Sequence, residues 1–386
     1  MAAPNSYARS MKAATTSPRG ASIQTSAIVG IVGAGAMGSG IAQVALEAGH
    51  EVVLHDVDDA ALARSRDRIA DGLARRAARA VADPAGIDDW VAIRLDRLRS
   101  TEALEQLGDE ADVVIEAAIE SLDLKQAIFR TLSVVAPADV ILATNTSALS
   151  ITSIAAAATH PERVVGLHFF NPAPLMALVE VVAGAATEAA IAARAEDLVR
   201  GWGKTPVRSA DSAGFIVNRV NRPFTLEALR LLEAGSASIE AIDRALRDGG
   251  FPLGPFELMD LTGIDVTFAA SSAIWERLGR PDRLRPSPIQ ERLIAAGHLG
   301  RKTGQGFYRY ERGRQSAGEP QPEPPQQDLA HDARIRSGIL AAIDAEALLV
   351  VAEGVASEAD VDLAMRLGAN HPVGPFERAR AGEPAS

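Results

Sequence analysis

The chain contains no cysteine in 386 residues, which excludes disulfide staples and thiolate chemistry alike. Aromatic residues are scarce, at 4%, while hydrophobic residues reach 47% and are dominated by Ala, Val and Leu, a composition suited to a helix-rich α/β protein. No apolar run approaches the roughly 20 residues needed to cross a bilayer. Basic residues are in deficit, 39 against 50 acidic, and the formal charge of -11 argues against nucleic acid as a partner. No membrane partner and no metal are expected, and a soluble, cytoplasmic protein is the simplest inference. An anionic ligand would need a local basic patch. LARSRDRIADGLARRAAR, residues 62–79, offers one in Arg68, Arg75, Arg76 and Arg79, although a solvated helix face explains the same charges.

Residues 1–26 carry Arg9, Lys12 and Arg19 but no acidic residue and no apolar signal core, so a disordered N-terminal extension is expected. From Ala27 to about Asp211 strand-like and helical patterns alternate: AIVGIV, EVVLHD, DVVIEAA and DVILATNTS, with helical stretches at 40–48, 58–80 and 121–135. That alternation predicts an α/β fold with a Rossmann-like, doubly wound parallel sheet over residues 27–211. After Ser212 the pattern turns helical, and an all-α domain is expected over 212–312. The Pro- and Gln-rich stretch from 313 reads as a linker to about residue 330. Beyond it, residues 331–386 look like a partial repeat of the helical domain. AIDRALRDGGFPLGPFE at 241–257 recurs as DVDLAMRLGANHPVGPFE at 360–377, and Glu227-Ala228 is answered by Glu346-Ala347.

GAGAMGSG spaces Gly33, Gly35 and Gly38 as GxGxxG between a strand and a helix. Gly33 permits the tight turn, Gly35 the approach of backbone to a pyrophosphate, and Gly38 close helix packing, while Ala36 and Met37 open the helix whose N–H groups face the phosphates. The next strand ends at Asp56, about twenty residues on, where a carboxylate accepts a ribose 2′-OH and repels a 2′-phosphate; NAD is the expected cofactor. RVVGLHFFNPAPLMALVE, 163–180, sets His168 and Glu180 on two short strands around a Pro-rich turn, which brings a carboxylate beside an imidazole as in a general base. A lone strand-end histidine satisfied by a carbonyl is the competing reading. Ser147, in the strand-end segment NTSALS with Asn145, is either a ligand donor or the N-cap of a helix beginning near Ile151.

Together NTSALSITSIA, GLHFFNPAPLMALVEVV, GFIVNRV, GPFELMDLTG and GRKTGQGFY, behind GAGAMGSGIA, resemble the L-3-hydroxyacyl-CoA dehydrogenase family, in order, over about residues 27–310. The resemblance implies NAD-dependent oxidation of an L-3-hydroxyacyl-CoA to the 3-oxoacyl-CoA. It casts His168 as base, Glu180 as its partner, and Ser147 and Asn218 as holders of the reacting end of the substrate. Asn171 of HFFNP falls with the substrate contacts, and Arg79, from the basic stretch 62–79, is the candidate contact to an anionic acyl-CoA. Glu120 matches a glutamate near the nicotinamide, and Lys125 and Asn145 fall with the cofactor contacts.

Single-domain family members pair their helical domains between subunits, so the resemblance implies either a homodimer or a pseudo-dimer formed within one chain by the repeat. Tandem helical domains resemble longer bacterial members that act on 3-hydroxybutyryl-CoA or 3-hydroxyadipyl-CoA. Two departures stand out: Ala213 where the family often has proline, and a GGFP turn one residue short. In the second copy Ser337 takes the position of Asn218, which removes the substrate contact there. A gulonate-type sugar-acid dehydrogenase and a catalytically silent NAD-binding protein are the rival readings; HFFNP and NTS weigh against the first, and the presence of all of His168, Glu180, Ser147 and Asn218 weighs against the second.

Overall fold

The computed structural model describes residues 26–80, 84–311, 314–315 and 328–382. The expected N-terminal extension and most of the expected linker lie outside these residues.

Eight strands form one sheet: β1 Ile28–Val32, β2 Glu51–His55, β3 Leu98–Thr101, β4 Val113–Glu116, β5 Ile141–Thr144, β6 Val164–Phe169, β7 Leu178–Ala183 and β8 Thr205–Ala210. Their order is β3-β2-β1-β4-β5-β6-β7-β8. The first six are parallel, whereas β7 pairs antiparallel with β6 and β8 runs parallel to β7. The sheet is thus mostly rather than wholly parallel, because the turn through 170–177 is too short to hold a crossover helix and must reverse the chain. The short, half-polar strands β3 and β8 give little apolar run and are not evident from sequence patterning.

Helices α1 Ala36–Glu47, α2 Asp59–Ala80, α3 Ile87–Leu95, α4 Leu104–Glu110, α5 Leu122–Val135, α6 Ile151–Ala155 and α7 Ala189–Gly201 cover the sheet. Strands buried on both faces, such as β1 and β4, are rich in Val and Ile for that reason, broken only by Gly30 and Glu116. Two clusters result, one with Ile41, Leu46 and Leu198, the other with Phe129, Leu132 and Ile154.

The chain then becomes helical: α8 Val217–Val220, α9 Arg222–Glu233, α10 Ile239–Asp248, α11 Pro255–Thr262, α12 Ile264–Arg277, α13 Pro288–Ala295, α14 Leu329–Ala352, α15 Glu358–Gly368 and α16 Pro375–Arg380. The helix α14 begins before residue 331, so the expected repeat boundary falls inside it. Asp328 caps this helix by accepting from the His331 amide at 3.0 Å.

The two sequence copies make the same local structure. Asp243 accepts the Phe256 amide at 2.9 Å, and Asp362 accepts the Phe376 amide at 2.7 Å. Glu257 and Glu377 each reach back to accept the amide of the glycine three residues earlier, the half of a capping box that a glycine N-cap allows. The second copy is nevertheless not a separate body. Ile335, Ile339, Ile343, Val361 and Met365 are buried in one cluster with Phe224, Leu229, Ile242 and Phe256.

Buried charge ties the copies as well. Arg219, fully buried, donates Nε to Glu346 Oε1 at 2.7 Å and Nη1 to Glu353 Oε2 at 2.6 Å, and Arg283 donates to Glu346 Oε2 at 2.7 Å. Without the Glu346 charge, buried Arg219 would keep only the half-exposed Glu353 as a counter-ion. We expect Glu346→Gln to destabilise the protein by about 3 kcal/mol, seen as a lower urea midpoint at unchanged slope.

Candidate active site

A cleft of about 560 Å³ lies where the strand ends meet the helical unit. Met37, Glu120, Asn145, Ser147, His168, Asn171 and Asn218 line it, together with residues of α9, α11 and α12.

At the dinucleotide end, Gly33 has φ +106°, and a Cβ there would meet the Ala117 carbonyl oxygen at 2.7 Å. A Cβ at Gly38 would lie 1.8 Å from the Gly33 oxygen, so α1 packs directly on the turn. Gly35 is different: φ is -70° and an added Cβ would meet no protein atom within 4 Å. Nothing in the chain itself requires glycine there, which is what a cradle for an outside group demands. Ala36 opens the helix over this cradle. Asp56 Oδ2 accepts the Ala34 amide at 2.8 Å and Oδ1 the Asp58 amide at 3.1 Å, holding the carboxylate beside the turn. These residues fit a dinucleotide.

In the reacting part, β6 and β7 pair in register with His168 opposite Glu180. Nδ1 of His168 lies 2.6 Å from Glu180 Oε2. A buried carboxylate accepts, so Nδ1 donates and Nε2 is left as the acceptor of a ring that lines the cleft. The other oxygen, Oε1, accepts the amides of Ile216 at 3.0 Å and Val217 at 2.9 Å. Those amides point inward because the chain turns through left-handed conformations at Gly214, φ +78°, and Phe215, φ +49°. Phe170 and Phe215 flank the imidazole, with ring centroids at 4.5 and 5.7 Å.

Asn145 Oδ1 accepts the Phe169 amide at 2.8 Å, locking the end of β5 to that of β6. Glu120 Oε1 accepts the Thr146 hydroxyl at 2.5 Å and the amides of Ser147 and Ala148 at 3.0 and 3.1 Å. The turn that presents Ser147 is therefore built on Glu120. The N-cap of α6 is Ser150, whose Oγ accepts the Ser153 amide at 3.1 Å, so the capping alternative for Ser147 falls away.

Lys125 and Arg79, both expected contacts, do not line the cleft. Lys125 is 1% exposed and donates to Glu116 Oε1 at 2.6 Å, because α5 carries it beneath the end of β4, where it neutralises a buried carboxylate. Arg79 stands exposed in the last turn of α2, away from the cleft lining. Its companions Arg68 and Arg76 turn toward Ala34 O and Glu47.

Sequence reasoning missed Glu116, which also accepts the Thr144 hydroxyl at 2.6 Å, and missed Asn221 and Arg222 in the cleft wall. It also missed His371. This residue stands in the second copy where the first has Phe251, and its Nε2 lies 2.8 Å from Asn221 Oδ1. The signal available was an imidazole breaking an otherwise apolar repeat, HPVGPFE against FPLGPFE.

The comparisons with known proteins agree with this geometry. The family model for the 3-hydroxyacyl-CoA dehydrogenase NAD binding domain matches residues 28–212, and that for its C-terminal domain matches 214–310 and 335–381. A 3-hydroxyadipyl-CoA dehydrogenase of Escherichia coli (strain K12) is 47% identical over 72% of this chain and 58% of its own length. The mitochondrial hydroxyacyl-coenzyme A dehydrogenase of Sus scrofa is 42% identical over 73% of this chain and 90% of its own. A crystal structure of 3-hydroxybutyryl-CoA dehydrogenase from Escherichia coli K12 superposes with a TM-score of 0.82 at 36% identity, covering 92% of this chain and 91% of that one.

The fold and cleft are those of a nicotinamide-dependent dehydrogenase, and the chain belongs to the 3-hydroxyacyl-CoA dehydrogenase family. It is an NAD-dependent oxidoreductase of 3-hydroxyacyl-CoA. The sugar-acid and silent-protein alternatives are not favoured. No helix among the described residues is long and apolar enough to cross a membrane.

Burial pulls the pKa of His371 from 6.5 to about 3. The folded protein thus refuses a proton that the unfolded chain accepts, so the stability this residue confers is complete above about pH 6.5 and is lost as pH falls toward 3. We expect the melting-temperature difference between His371→Phe and wild type to move in favour of the variant between pH 7 and pH 5. A difference independent of pH would contradict the assignment.

Proposed function

We propose that His168 is the general base of L-3-hydroxyacyl-CoA oxidation, and that Glu180 fixes its tautomer. The observation that carries this is the 2.6 Å contact between His168 Nδ1 and Glu180 Oε2, with the second carboxylate oxygen held by two amides. NAD, when bound, supplies the acceptor for the hydride from C3. His168 Nε2 takes the proton of the 3-hydroxyl, and Glu180 offsets the positive charge that appears on the ring. Ser147 and Asn218 line the same cleft and orient the 3-oxygen, which sets C3 in place before the chemical step. In the reverse direction His168 is the acid. Asn171 lies on the substrate side of this centre, while Met37 and Glu120 lie toward the nicotinamide.

The glycine turn and Asp56 are read as the seat of the adenosine half of NAD. The helices α14–α16 are read as covering, in cis, the surface that another subunit would cover in a homodimer, a pseudo-dimer within one chain.

His168→Ala should lower kcat by about 10²–10⁴-fold with NADH affinity nearly unchanged, and Glu180→Gln should follow with a smaller loss. Steady-state kinetics and NADH fluorescence titration check both, and retained turnover in the histidine variant would remove the assignment. NAD should be preferred over NADP by at least about tenfold in kcat/KM, roughly 1.4 kcal/mol, and Asp56→Ser should narrow that gap.

A further inference from the structure

Among the described residues four arginines are buried, Arg163, Arg219, Arg222 and Arg378. Arg219 pairs with Glu346 and Glu353, and Arg378 with Asp344. Arg163 donates to the carbonyls of Ser133, Ala136 and Pro137. Arg222 has neither kind of partner set. It is 9% exposed and lines the cleft, and its hydrogen bonds among the described residues are two long ones to neutral oxygens. Nε donates to Asn218 O at 3.3 Å and Nη1 to Ser271 Oγ at 3.4 Å.

Burial lowers the Arg222 pKa only to about 10, so the guanidinium is charged at neutral pH. A buried cation without a counter-ion is costly to hold, and a planar five-donor fork matches a carboxylate in particular. Beside Asn218 and Asn221, the helical side of the cleft is lined by small or apolar residues, among them Thr225, Leu258, Val266 and Ala270. Such a wall suits an acyl chain, and a guanidinium this deeply covered is poorly placed for the bulky, hydrated phosphates of CoA.

We propose that Arg222 is a specificity-determining residue that pairs with a carboxylate at the far end of the acyl chain, so that CoA thioesters of 3-hydroxy dicarboxylic acids are the preferred substrates. This rests on the reading of the cleft as the hydroxyacyl site. Asn218 and Asn221, on the same stretch of chain, line the cleft with Arg222. His371 braces Asn221 from the second copy, so the C-terminal repeat helps to shape this end of the cleft.

The test compares matched pairs of CoA thioesters, 3-hydroxyadipyl against 3-hydroxyhexanoyl and the corresponding pairs of about five to eight carbons, by NADH formation with the full chain. At one length or more the wild-type enzyme should favour the diacid by at least about tenfold in kcat/KM. Arg222→Met should reduce that diacid-to-monoacid ratio by at least about thirtyfold, mainly through KM, the scale expected when a buried charge loses its partner. Arg222→Lys should recover part of it. A wild-type preference for the monoacid at every length would overturn the proposal without any variant. So would an Arg222→Met enzyme that loses both series in proportion, since the arginine would then serve the thioester, the CoA or the fold. Turnover of monoacids without diacid preference would sink this inference alone, whereas no turnover of either series with NAD would sink the parent reading.

Discussion

One carboxylate holds three parts of the molecule in register. Glu180 sits on β7, faces His168 on β6 through one oxygen, and takes the amides of Ile216 and Val217 through the other. The side chain is fully buried, so its charge has to be satisfied from within. Two amides and an imidazole do so, and in the same act they fix the entry angle of the helical unit against the sheet. The left-handed backbone at Gly214 and Phe215 is the local cost of aiming those amides, and it falls next to the residues proposed for chemistry.

The helical unit depends in turn on its second copy. Ile339, Ile343 and Val350 fill the same core as Phe224 and Leu229, while Arg219 has its carboxylates on α14 or just beyond it, at Glu346 and Glu353. Arg219 immediately follows Asn218, so the helix that closes the core also steadies the segment that forms the cleft wall. His371 to Asn221 is a second such link. The repeat therefore bears on the site as well as on stability, although it carries Ser337 where the first copy has Asn218.

The copies differ where one of them meets another element. Asp243 accepts the Tyr308 hydroxyl at 2.8 Å, and Asp260 holds the amides of Phe307 and Tyr308. In the second copy Arg380 stands at the position of Asp260 and reaches Asp362 at 3.2 Å. The glutamate bond to the N-cap glycine amide is local and persists in both copies, while the contacts that seat residues 307–310 belong to the first alone.

Local chemistry determined much of this protein from the sequence by itself. Glycine spacing after a Val/Ile strand, a carboxylate at the end of the next strand, alternating strand and helix patterns, and the doubled GPFE turn are all set by neighbours within a few residues or by short repeats, so they were legible without coordinates. The pairing of His168 with Glu180 was legible for the same reason, since a tight turn joins their strands. Partners distant in the chain were not. Lys125 looked available until α5 carried it under β4 to Glu116, and Arg79 lay in a basic stretch that folding leaves outside the cleft. The place of β8 beside β7, the ion pair between residues 219 and 346, and the presence of Arg222 in the cleft wall without a carboxylate were decided only in three dimensions. A charge reveals its partner, or the lack of one, only after burial has removed the water that would otherwise satisfy it.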